Sequence, residues 1–128
     1  MKRTLLTTCL LAALPIAVQA KTITIGLDLS GSNPLLEHEY FAASAATFVA
    51  DQVKSLETGD VVRIKSFGAR YDPRNQPEIE VEISRRQRAS AVADSVEKLI
   101  KSLPQRNVAQ GSTNLIAWLE FTSGFACE

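Results

Sequence analysis

The sequence predicts an α/β fold built on one open sheet. Three short β-rich apolar runs, at Thr22 to Leu27, Val61 to Phe67 and Glu78 to Ser84, alternate with helical stretches that carry apolar residues at three- and four-residue spacing. Turn-forming clusters separate them. The 128 residues, 45% hydrophobic and 22% charged, match one ordinary domain. Six Gly and five Pro are too few and too scattered for a linker-like or collagenous chain, and there is no internal repeat.

The N-terminus reads as a secretory signal over residues 1–20. Met1-Lys2-Arg3 is a basic start, Thr4 to Val18 is uncharged and apolar, and Val18-Gln19-Ala20 offers compact residues before Lys21. The apolar run of about 15 residues is shorter than the roughly 20 that a membrane span requires. Cleavage near Ala20 implies an exported protein, periplasmic or secreted, with a single domain over residues 21–128. Losing Lys2 and Arg3 leaves 12 basic against 14 acidic side chains, a charge of −2. That value gives no electrostatic reason to expect nucleic acid or an anionic membrane as partner. Cys9 departs with the signal, so Cys127 has no partner for an internal disulfide.

The first strand places Ile23, Ile25 and Leu27 on one side and Thr22, Thr24 and Gly26 on the other. Asn33 is a cap with Pro34 at the first helical position, opening a long helix to about Leu56. Its apolar face runs through Ala42, Ala45, Ala46, Val49, Val53 and Leu56, with Phe41 and Phe48 beside it. Gly59 ends it. The connection from Gly68 to Pro77 is too short for a helical crossover, so strands two and three pair antiparallel. Ile79, Val81 and Ile83 then point inward, and Arg63 and Lys65 face Glu80 and Glu82 across the strands.

Ser84 and Gln87 form a capping box for a second helix with a stripe of Val92, Val96, Leu99, Ile100 and Leu103, stopped by Pro104. Arg85, Arg86 and Arg88 fall in its first turn and oppose the helix dipole; they read as a solvated face. A polar loop from Gln105 to Thr113 leads into a helix from Asn114 to Phe121 around Leu115, Trp118 and Leu119.

Chemistry concentrates in Asp28-Leu29-Ser30-Gly31-Ser32, directly after strand one and before helix one. Alternate spacing lets one carboxylate and two hydroxyls converge while Leu29 returns to the core and Gly31 permits a tight turn. Such oxygen donors suit a hard divalent cation; Mg²⁺ in particular keeps several waters and takes one or two carboxylates. The end of a central strand is also where open α/β sheets place ligands.

Asp28-x-Ser30-x-Ser32, the strand before it, the Ala-faced helix after it and the downstream Gly111-Ser112-Thr113-Asn114-Leu115 together resemble the von Willebrand factor A (VWA) domain and its metal-ion-dependent adhesion site (MIDAS). The resemblance covers about residues 22–121. It implies a partial Rossmann-like fold in the order β-α-β-β-α-α, with Asp28, Ser30, Ser32 and Thr113 as metal ligands to Mg²⁺, Mn²⁺ or Ca²⁺. It further implies a non-enzymatic adhesion or assembly module whose bound cation takes an Asp or Glu carboxylate of a partner protein. The family completes its site with an Asp at the end of a later strand, and nothing after Thr113 supplies one. The expectation is therefore a truncated domain whose strand one keeps an apolar unpaired edge.

Two other readings stand beside this one. A secreted hydrolase with Ser30 or Ser32 as nucleophile needs a base, and the sole His38 falls in helix one beside Glu37 and Glu39. No Gly-x-Ser-x-Gly elbow occurs, Gly111-Ser112-Thr113 lacks the Lys of a nucleotide loop, and one His with one mature Cys cannot build a usual zinc site. The third reading is a structural remnant in which Asp28 and Ser30 only cap a turn.

Overall fold

The computed structural model describes residues 19–70, 72–75 and 79–123. Most of the signal segment, Glu78 and Cys127 lie outside them. The chain is α/β: among the described residues, a three-stranded mixed sheet with α-helices between its first and second strands and after its third.

Strand β1 (Thr22–Asp28) pairs in parallel with β2 (Val61–Phe67), and β3 (Ile79–Glu82) pairs antiparallel with β2, giving the order β1-β2-β3. The antiparallel pairing expected from the short connection is present, and Arg63 Nε donates to Glu80 Oε2 at 2.7 Å across it. Val62 and Ile64 of β2 face Val81 and Ile79 of β3 in register. Ile79 nonetheless stays 40% exposed, because β3 forms one margin of the sheet. Among the described residues β1 is the other margin, pairing only with β2.

The expected first helix is two helices. Asn33 Oδ1 accepts the Leu35 N–H at 3.0 Å to start α1 (Pro34–Glu37), and His38 then adopts an extended conformation before α2 (Glu39–Lys54). His38 closes one helix and opens the next, since its own N–H donates to Pro34 O and its carbonyl accepts from Ala42 N. Ala42, Ala46, Ala50 and Val53 of α2 are fully buried. These small residues let α2 lie close to its neighbours, and the core continues through Ile25, Leu27, Val62, Ile64 and α3 (Ala89–Lys101). Phe48, in contrast, is 68% exposed.

Helix α3 begins at Ala89, not at Ser84. Ser84 Oγ does accept the Gln87 N–H at 3.1 Å, but the contact closes a turn, and the residue at the N-cap position of the helix is Arg88, whose side chain makes no capping bond. Arg85 and Arg86 therefore lie ahead of the helix, outside the first turn where the dipole would oppose them. The buried stripe of α3 is Ala93, Val96 and Ile100, with Val92 and Leu99 partly buried at its margin. A 3₁₀ turn at Leu103–Gln105 accommodates Pro104. Helix α4 (Leu115–Ser123) crosses the opposite face of the sheet: Trp118 stacks obliquely on Phe67 with ring centroids 5.4 Å apart, and Lys65 Nζ sits 3.6 Å from the centre of the Phe121 ring. No described helix is long and apolar enough to cross a membrane.

Candidate metal centre

Strand β1 delivers Asp28 to the C-terminal end of the sheet, beside Phe67 of β2. Leu29, 1% exposed, returns to the core, and its N–H donates to Phe67 O at 2.8 Å, so the chain turns at an anchored point. The Asp28 carboxylate then accepts two hydrogen bonds from Ser30: the main-chain N–H on Oδ1 at 2.9 Å and the hydroxyl on Oδ2 at 3.0 Å. Asn33 completes the turn, its amide donating to Asp28 O at 2.8 Å while its oxygen caps α1. Ser30 is 8% exposed, whereas Ser32 stands exposed on the outer side of the turn.

The downstream loop is fastened to this turn. Gly31 N–H donates to Gln110 O at 2.7 Å and Gln110 N–H donates to Leu29 O at 2.8 Å, forming a parallel bridge between Ser30 and Gln110. Gly111, Ser112 and Thr113 follow directly, and all three are exposed. The structure thus joins the two sequence-distant segments that contain Asp28, Ser30, Ser32 and Thr113. It brings Asp28 and Ser30 into direct contact, places Ser32 two residues on, and holds Thr113 three residues past the bridge.

A third loop, between β2 and β3, joins through the Gln110 side chain, which sequence reasoning passed over. Gln110 is 2% exposed; its Oε1 accepts the Ala69 N–H at 2.5 Å and its Nε2 donates to Asn75 Oδ1 at 2.7 Å. A Cβ on Gly68 would collide with that amide, so the bare backbone there is what admits Gln110. Arg74 adds a further tie, donating to Ala109 O at 2.7 Å while its other nitrogens grip Asp72. This side-chain hydrogen bond holds the Asp72 carboxyl below the usual carboxylate range. The only sequence signal for Gln110 is a polar residue directly before a Gly-Ser-Thr run, which carries no periodicity.

Donor chemistry limits what the site can bind. Among the described residues no three His, Cys, Asp or Glu side chains gather, and of the four expected ligands Asp28 is the carboxylate while Ser30, Ser32 and Thr113 offer hydroxyls. An oxygen-only set with one charge fits a hard divalent cation that retains water ligands, and does not fit zinc. Beside the loops a cavity of about 270 Å³ is lined by Phe67, Asn75, Asn114 and Trp118 together with Lys65 and Arg70, and by no carboxylate among the described residues.

Comparison of the chain with protein-family models, curated proteins and solved structures finds no match in any of the three.

Proposed function

We propose that the protein is an exported binding module of the VWA type, in which Asp28, Ser30, Ser32 and Thr113 hold a divalent cation, Mg²⁺ or a relative such as Mn²⁺ or Ca²⁺. The carrying observation is the pair of main-chain hydrogen bonds that clamps Gln110 between Leu29 and Gly31. Two loops about 80 residues apart in sequence are joined at the carboxyl end of β1, where open α/β sheets place their ligands.

When bound, the cation supplies Lewis acidity and residual positive charge, since one carboxylate neutralises only half of it. The residues of the chain do the rest. Asp28 contributes the charge, Ser30 orients that carboxylate through two hydrogen bonds, and Ser32 and Thr113, both exposed, would add their hydroxyls. The ligand that suits this arrangement is an Asp or Glu carboxylate of a partner protein. The neighbouring cavity carries Lys65 and Arg70 and no carboxylate among the described residues, which suits an acidic partner. Nothing in the arrangement requires bonds to be made or broken.

The reading is tested by Mn²⁺ binding, followed by electron paramagnetic resonance and by calorimetry with Mg²⁺. Uptake is expected in the unsubstituted protein, abolished in Asp28→Ala and weakened in Thr113→Ala. Equal uptake in all three removes the site.

A further inference from the structure

Lys21 is the residue that follows the expected cleavage point, and its main-chain nitrogen donates to Asp60 Oδ1 at 2.7 Å. Its carbonyl accepts the Val61 N–H at 2.8 Å, so the nitrogen is held in place from its own residue. Asp60 is 5% exposed, and its second oxygen takes the Glu57 N–H at 2.9 Å. The Asp60 main chain is fixed as well, its carbonyl accepting from Ile83 N at 2.8 Å. A shielded carboxylate is thus aimed at one particular backbone nitrogen. Gln19 and Ala20, just upstream, are exposed and belong to no helix or strand.

We infer that removal of residues 1–20 converts this contact into a part-buried ion pair, with the new α-ammonium of Lys21 seated on the Asp60 carboxylate, so that maturation itself locks the start of β1 to the start of β2. This goes beyond the cation site and rests on reading residues 1–20 as a removable leader. The covalent step is a hydrolysis by a signal peptidase. One water adds across the Ala20–Lys21 amide, its oxygen leaves with Ala20 as a carboxylate, and both its hydrogens pass to the Lys21 nitrogen, which becomes ammonium. No electrons change hands.

The physical gain is specific to the processed chain. In the precursor a neutral amide N–H donates to the Asp60 carboxylate; after cleavage the same nitrogen carries a full positive charge, so the contact gains the Coulomb attraction of two opposite charges. The other charged groups near the pair are the Lys21 side-chain ammonium, Glu57 in the preceding turn and Glu82 opposite Val61 on β3. None of them occupies the position of the Lys21 nitrogen.

The test begins with the mass of the protein recovered from an exporting cell, expected to start at Lys21. That protein is then compared with its Nα-acetylated form, in the unsubstituted chain and in Asp60→Asn. Acetylation is expected to lower the thermal midpoint of the unsubstituted chain and to leave Asp60→Asn unmoved. The α-amine of the unsubstituted chain should titrate about one unit or more above the ordinary value near 8, a tenfold or greater preference for the charged form. A mass starting at any other residue overturns the proposal through the leader. Equal midpoints, or an unshifted amine, overturn it through the ion pair. Should Asp60→Asn fail to fold, the titration in the unsubstituted chain decides alone. None of these outcomes bears on Mn²⁺ uptake at Asp28.

Discussion

The indole of Trp118 packs against the bare backbone of Gly26. A Cβ on Gly26 would fall 2.5 Å from two of the indole ring carbons, closer than real atoms approach, so the missing side chain on β1 is the seat of α4. Gly26→Ala forces a rigid ring to move, and overpacking of this kind costs about 1 to 3 kcal/mol. Urea unfolding followed by far-ultraviolet circular dichroism should show a loss in that range. An unchanged midpoint would mean that α4 does not pack on the sheet here.

Gln110 joins three loops, holding the turn after β1 through its main chain and the β2–β3 loop through its buried side-chain amide. Truncation in Gln110→Ala leaves the Ala69 N–H without its acceptor, a loss of about 1 to 3 kcal/mol for a buried group. Amide exchange of Ala69 should accelerate strongly while exchange in the middle of α2 changes only with global stability. Uniform acceleration across both would show that Gln110 supports the fold generally and is no local clamp.

If a divalent cation binds only the folded chain, it stabilises that chain by mass action. Mg²⁺ at about 100 times its Kd adds roughly 2.7 kcal/mol, reversed by a chelator. The same addition to Asp28→Ala should leave the thermal midpoint where it was.

Asp60 accepts two main-chain N–H groups, from Glu57 and Lys21, which hold its carboxyl below the usual carboxylate range. The stability that these bonds contribute is complete above the unfolded value near pH 3.9 and is lost as pH falls through the lower folded value. Acid titration of the thermal midpoint should therefore show a drop that begins at about pH 4 and is shallower in Asp60→Asn. Identical acid limbs would assign the drop to other carboxylates.

Burial separates two large apolar residues that look alike in sequence. Ile100, 2% exposed, should cost about 2 to 5 kcal/mol as Ile100→Ala. Phe48→Ala, on the outer face of α2, should stay within about 0.5 kcal/mol of the unsubstituted chain. A large loss at Phe48 in denaturant titration would reveal a contact among residues beyond those described.

The strands and the order of elements were legible because period-two runs such as Val61 to Phe67 carry their own burial pattern, Val62, Ile64 and Ser66 in and the others outward. The break at His38 was not, because Ala42 through Leu56 keeps helical spacing and nothing in residues 34–41 marks a stop. The displaced start of α3 has a different cause: Ser84 and Gln87 do make the expected contact, but a side-chain cap closes a turn as readily as it opens a helix. At the candidate site the Asp28–Ser30 pairing followed from alternate spacing. The Gln110 clamp did not, since a buried amide that satisfies main-chain groups of a loop about 40 residues upstream leaves no local pattern.

The chain contains one tryptophan, and it sits on α4, the helix that among the described residues buries none of its residues fully. Indole emission is consequently a built-in reporter for the outermost layer. On gradual heating it should shift ahead of the ellipticity, which α2 and α3 dominate, so that a single sample read by two spectroscopies would resolve the loosening of that layer from collapse of the whole.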